Sequence, residues 1–165
     1  MQNSQNEPLY GFECYCKAEK MSGIACVVLP DLEYEADARL TSKGFMDVSI
    51  TEWPLKPLIT TIRWIPLSKG AQMKFVAPEI YHFDFTCVKP KSTNITMRCM
   101  PKTAGLGKLY AGKITNCNVD YEALYLKIAV DGHILLEIDK LAQILVVDGR
   151  DYMWNVQKEE ANKKT

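Results

Sequence analysis

Apolar and polar positions alternate with a period of two through most of this chain, the mark of strands whose two faces meet different surroundings. Residues 12–17 and 24–29 form two such runs joined by Lys20 to Gly23, and Pro30 closes the second, which predicts a hairpin. From 31 to 40 an apolar series (Leu32, Tyr34, Ala36, Ala38, Leu40) alternates with Glu33, Glu35, Asp37 and Arg39. Period two argues strand there, with helix as the alternative because these residues are good helix formers. Thr41, Ser42, Lys43 and Gly44 break the pattern and alternation resumes over 47–53, so a long loop or extended hairpin lies between.

Further runs at 58–65, 81–88 and 94–100 are rich in β-branched and aromatic residues and bounded by prolines, which predicts three strands. Residues 68–76 are the one place for a short helix, and 101–112, with Gly105, Gly107 and Gly112, predicts an exposed loop. Strands follow at 114–117, 119–130, 134–139 and 144–147. Strict alternation on the long one sets Leu124, Leu126, Ile128 and Val130 against a semi-polar face of Tyr121, Ala123, Tyr125 and Ala129. Both faces are then covered, as in a central or interfacial strand.

Val-Asp-Gly occurs twice near the C-terminus, at 130–132 and 147–149. Asp-Gly between β-prone runs is a strong hairpin signal, because a type I′ turn needs positive φ at both central residues. Asp131-Gly132 and Asp148-Gly149 are therefore predicted hairpin turns, and the chain is mainly β with at most one or two short helices.

Length and charge narrow the classes. A chain of 165 residues suits one domain, and 20 basic against 20 acidic residues give zero net charge, without a counterion-release drive toward nucleic acid or anionic membrane. Near-zero charge also leaves little self-repulsion, which permits self-association. The polar N-terminus lacks a signal-peptide layout and no run of about 18 apolar residues is present, so synthesis in the cytoplasm without export by the usual route, and no membrane partner, are expected.

Chemistry finds little support. Gly105-Leu106-Gly107-Lys108 lacks the spacing of a phosphate loop, and neither His82 nor His133 has a nucleophile at recognisable spacing. Glu137 and Asp139 on one strand face could form a glycosidase pair, but surface strands carry such pairs routinely. The sequon Asn94-Ile95-Thr96 is expected to be unused without a signal peptide. Cys14, Cys16, Cys26, Cys87, Cys99 and Cys117 contain no Cys-x-x-Cys, so no metal and no cofactor is expected, and buried free thiols are the plain reading. Cys14 and Cys16, two apart on a strand, point the same way and are poorly placed to bond each other.

The order of these features resembles a known family. Gly23 to Pro30 (GIACVVLP), the charged run LEYEADARL and then SKGFMD resemble the start of the tail tube proteins of contractile phages and R-type pyocins. Tyr125 to Gly132, then Glu137-Ile138-Asp139, then Val147 to Asp151 stand in the order of that family's C-terminal segment. The resemblance spans roughly Phe12 to Met153. Pro54, Pro57, Pro66 and Pro78 interrupt the region where the family has a helix, which is expected to be shortened or relocated.

The resemblance implies an antiparallel β-sandwich or partial barrel over 1–165. Its parts are an N-terminal arm at 1–11, a long inter-ring loop at 40–52 (Thr41, Ser42, Lys43, Gly44, Phe45, Met46, Asp47) and a C-terminal tail at 152–165. It implies no enzyme but a virion protein assembled in the host bacterial cytoplasm. Hexameric rings would stack into a tube, with inner sheets joined into one barrel inside a contractile sheath. Implied partners are further copies of itself, the tail sheath, tape measure, baseplate and tail terminator proteins, and phage DNA in transit without specific binding. A bore that must release DNA should be neutral or acidic, which puts Glu33, Glu35, Asp37, Asp120 and Glu122 forward as lumen residues. In a virion outside the reducing cytoplasm the cysteines become candidates for inter-subunit disulfides, Cys14 and Cys16 first. The alternatives are a type VI secretion tube protein, and a monomeric β-sandwich ligand module stacking its ligand on Trp53, Trp64 and Trp154.

Overall fold

The computed structural model describes residues 11–34, 39–40, 46–47, 53–65, 72–87, 91–114 and 117–153. Fourteen strands lie in them. In chain order they are β1 (Glu13–Cys16), β2 (Glu19–Lys20), β3 (Ile24–Val28), β4 (Arg39–Leu40), β5 (Met46–Asp47), β6 (Leu58–Trp64) and β7 (Tyr81–Cys87). There follow β8 (Thr93–Gly105), β9 (Leu109–Tyr110), β10 (Lys113–Ile114), β11 (Cys117–Val130), β12 (His133–Asp139), β13 (Ile144–Val147) and β14 (Arg150–Asp151). The chain is mainly β, as the alternation predicts.

Ten strands form one antiparallel sheet in the order β14-β13-β12-β11-β8-β7-β1-β2, with β6 and β3 attached to β11, while β4-β5 and β9-β10 are separate two-stranded ribbons. β11 organises it. Its whole length pairs with β8 on one edge, while on the other edge its first half pairs with β6 (Cys117↔Trp64 to Ala123↔Leu58) and its second half with β12 (Tyr125↔Asp139 to Val130↔His133). The sheet therefore forks at Leu124, whose carbonyl accepts the Lys140 N–H at 3.0 Å. One core cluster gathers side chains from β1 at one end to β13 near the other, so the sheet curls round a single core without closing into a barrel.

Parity decides what enters that core. Leu58, Thr60, Ile62 and Trp64 on β6, Tyr81, Phe83 and Phe85 on β7, and Cys117, Val119, Tyr121 and Ala123 on β11 are buried, each separated by a residue facing outward. At Leu124 the register with β8 shifts, Ala123 facing Cys99 and Tyr125 facing Arg98. One extra residue reverses the parity, and Leu126 becomes the buried one. This corrects the expectation of a single alternation along β11: Tyr121 and Ala123 share the core face with Leu126, and the opposite face is polar.

Other segments depart from expectation for local reasons. The first hairpin is β1-β2, not a pairing of 12–17 with 24–29. Lys17 and Ala18 take φ of 50° and 65°, close a two-residue turn, and leave β3 to pair with β6. The stretch 101–112 is not all loop, because β8 runs on to Gly105. Pro101 sits where the ladder slips between Asp120 and Tyr121, so its missing N–H falls at a bulge. In the span 68–76 only 72–76 is described, and it holds a single turn closed by Phe75 N–H to the Gln72 carbonyl at 2.9 Å.

That turn covers the open side of the core. Phe75 stacks on Trp64 at 5.7 Å between centroids and meets Tyr81 edge-on at 5.9 Å. Tyr121 donates its hydroxyl proton to the Phe75 carbonyl at 2.7 Å and Tyr81 to the Ala77 carbonyl at 3.1 Å. Two buried tyrosines thus hold in place a segment with no ladder of its own. Phe83, wholly buried, packs against Phe75, Tyr81, Phe85 and Tyr121, a burial worth about 1.5–3 kcal/mol from its apolar area.

Candidate assembly surfaces

The outward face of the sheet carries a cross-strand polar ladder. Arg98 on β8, Tyr125 on β11 and Asp139 on β12 stand side by side in register. The Arg98 guanidinium donates to the Asp139 carboxylate at 2.9 Å and lies 5.1 Å over the Tyr125 ring, while the Tyr125 hydroxyl donates to Glu137 at 3.0 Å. Partial burial, then the Glu137 carboxylate, push the Tyr125 phenol up to about 12. Asp139 also accepts the Leu141 and Ala142 N–H groups at 3.0 Å each. Glu137 and Asp139 are thus occupied in holding strands together and shaping the next turn. Arg98 was not among the residues singled out from sequence. Its outward position between Met97 and Cys99 is the signal, since those two are buried and the residue between them must face away.

The acids expected to face the lumen fall into three groups. Asp120 and Glu122 lie on this outward face of β11, half-buried, with Asp120 accepting the Thr61 hydroxyl at 2.6 Å and Glu122 near Lys140 at 3.1 Å and Lys102 at 3.8 Å. Glu33 is exposed and paired with Lys56 at 2.8 Å, a contact that lowers its carboxyl pKa. Glu35 and Asp37 lie outside the described residues, as do Thr41, Ser42, Lys43, Gly44 and Phe45 of the long loop. At that loop's base, β4 and β5 pair antiparallel, Arg39 opposite Asp47 and Leu40 opposite Met46.

Both Val-Asp-Gly segments form two-residue turns, with φ of 49° and 82° at Asp131 and Gly132, and 48° and 78° at Asp148 and Gly149. Asp131 does more than turn the chain, since its N–H donates to the Ser92 carbonyl at 2.7 Å and its carboxylate accepts the Ser92 N–H at 3.1 Å. The turns flank a groove of about 540 Å³ lined by Ile134 and Leu135 together with Val130, His133, Lys91, Asp131 and Asp148.

All six cysteines are free thiols within the chain. Cys14 and Cys16 share the core face of β1. Cys14 donates to the Met21 sulfur at 3.2 Å, and burial raises the thiol pKa of both, to about 12 for Cys14. Cys99 and Cys117 are buried as well, and Cys26 and Cys87 are half-exposed. Trp64 is fully buried and Trp53 packs against the core, so neither offers a ring for ligand stacking; Trp154 lies outside the described residues. His82 and His133 are exposed. Among the described residues no group of three or more His, Cys, Asp or Glu could hold a metal ion.

The sequence model of the family described as phage tail tube protein FII matches residues 6–159, nearly the whole chain. The chain belongs to that family. It is a structural tail component, and the family is not one of enzymes. Two solved structures share the fold of this tail tube protein. One comes from the sheath–tube complex of an extracellular contractile injection system in its extended state, with TM-score 0.59, 12% identity, and 78% of this chain and 94% of that one covered. The other comes from the sheath/tube terminator of the same kind of system, with TM-score 0.58, 12% identity, and 78% and 99% covered. No curated protein matches the chain in sequence.

Proposed function

We infer that this tail tube protein acts as one domain that assembles into hexameric rings, stacked as the inner tube of a contractile phage tail. The tube conducts DNA and holds the tape measure protein inside a sheath, and it contacts baseplate and terminator proteins at its ends. The observation that carries this is family membership over residues 6–159. A curled sheet whose outer strands β2, β3 and β14 have one strand partner each among the described residues supports it, because joining such edges between copies removes a liability to uncontrolled pairing.

On this reading the outward face of β6-β11-β8 lines the bore. Asp120 and Glu122 contribute carboxylates tied to Thr61, Lys102 and Lys140, which offset the charge of those two lysines toward passing phosphates. Residues 40–52 reach toward the adjacent ring, and half-exposed Cys26 and Cys87 are the first candidates for cross-linking between copies. Light scattering after size exclusion, followed by electron microscopy, tests the proposal. Six chains of 18.7 kDa give a ring of about 112 kDa, with tubes at higher concentration. A monodisperse 18.7 kDa species at every concentration rejects it. In a tube reconstruction, Asp120 and Glu122 on the outer wall reject the bore assignment, and tubes of normal length from a chain lacking residues 41–46 reject the loop's role.

A further inference from the structure

The β9-β10 ribbon projects from the junction of β8 and β11 and leaves Leu109 77% and Tyr110 58% exposed. Its base is fixed, the Cys117 thiol donating to the Leu106 carbonyl at 3.1 Å. Two large apolar side chains on a short, well-anchored ribbon make a knob that nothing among the described residues covers. At the other end of β11 lies the groove between the two Val-Asp-Gly turns, with Ile134 and Leu135 at 40% and 43% exposure in its lining. Strand rise over the 14 residues of β11 separates knob and groove by about 43 Å. A chain cannot fill its own groove with its own knob.

We propose that the Leu109–Tyr110 knob of one copy docks in the Ile134–Leu135 groove of the next, a head-to-tail contact between stacked copies. Charge fits the pairing. Lys113 stands exposed on the knob's ribbon, and the groove's lining carries Asp131 and Asp148 against one lysine, Lys91, so the acidic excess faces an incoming cation. Polarity fits as well, since a knob and a groove at opposite ends of one strand direction form a heterologous contact that repeats along an axis.

The proposal rests on the stacked-tube reading, and one experiment separates the two. Chains with Tyr110 replaced by the photo-cross-linker p-benzoylphenylalanine are mixed at about one in ten with unlabelled chains, allowed to assemble, imaged and irradiated. The expected product joins position 110 of one chain to the 130–135 or 146–149 segment of another. Assemblies that cross-link elsewhere, or not at all, overturn the docking while leaving the tube intact. Absence of any assembly in the unlabelled protein overturns the tube reading and the docking with it. As a second arm, Leu109→Asp and Ile134→Asp should each raise the concentration needed for assembly about tenfold or more with an unchanged monomer melting curve. Assembly at the original concentration by either variant overturns the contact.

Discussion

Before Leu124, β11 sends every second residue into a core of aromatic rings; after it, Leu126 alone is fully buried and the remaining side chains are half-covered on both faces. The same contrast extends to the neighbours. β6 and β7 bury Trp64, Tyr81, Phe83 and Phe85, whereas the C-terminal meander leaves Ile134, Leu135, Leu141 and Tyr152 exposed. Apolar area that a protomer does not bury is either wasted or meant for another surface, and patches of this kind mark interfaces. The first region holds the protomer together; on the tube reading proposed above, the apolar surface of the second is available to neighbouring copies.

The strongest way to break that division is to remove a side chain from each region. Phe83→Ala should cost about 3–5 kcal/mol in urea unfolding of the protomer, the usual range for a buried ring replaced by a cavity. Leu141→Ala, at 72% exposure, should stay within about 0.5 kcal/mol. Equal losses at the two sites would show that the meander is as much a part of the protomer's stability as the aromatic core.

A smaller effect sharpens the role of the turns. A Cβ at Gly132 meets nothing within 4 Å, so Gly132→Ala acts through backbone conformation alone, at φ of 82°. About 1–2 kcal/mol of destabilisation is expected from that strain, read from the same unfolding curves. No loss would mean that the turn relaxes to another type, and the groove beside it would lose its shape.

What the sequence tells about this molecule follows the same boundary. Strands with strict parity, such as 58–64 and 81–87, are legible because every second residue faces one dry core, and the two Asp-Gly turns are legible because few residue pairs accept positive φ. The Leu124 bulge is not legible, since an inserted residue in an apolar run such as Ala-Leu-Tyr-Leu leaves the hydrophobic pattern intact while reversing its faces. Lys17-Ala18 hides for the opposite reason: it adopts a turn that its residue types disfavour, held by β1-β2 pairing and the bond from Met21 N–H to the Cys14 carbonyl at 2.8 Å. The pairing of β3 with β6 is a tertiary choice that local pattern does not encode. Of the assembly surface, the motif order was readable, but the Arg98–Tyr125–Asp139 row depends on register, and register across β8, β11 and β12 passes through three shifts along β11, at Asp120/Tyr121, Ala123/Tyr125 and Ile128/Ala129.

The two regions also hold matched tyrosines. Tyr121→Phe leaves the partly buried Phe75 carbonyl without this bond and should cost about 1–1.5 kcal/mol. Tyr125→Phe removes a bond to Glu137 on a half-exposed face and should cost about 0.5 kcal/mol. Thermal melts of the two variants give the comparison, and a larger loss at Tyr125 would place more of the protomer's stability in the polar ladder than its exposure allows.

The thiols probe the aromatic half with no mutation and no stability change at neutral pH. Burial pushes Cys14 and Cys99 up from 9.0 to about 12, so the fold favours their protonated forms. That contribution is complete below pH 9, declines as the pH rises, and is gone above about 12. The protomer's melting temperature should therefore be unaffected by these groups between pH 7 and 9 and should fall above that range. In the neutral range a thiol reagent should reach half-exposed Cys26 and Cys87 first, while Cys14 and Cys99 react only as the core opens. Peptide mapping of the labelled protein reads the order. Early labelling of Cys99, which lies directly across β8 and β11 from Ala123, would mean that the aromatic core opens readily, against its role as the part that holds the protomer together.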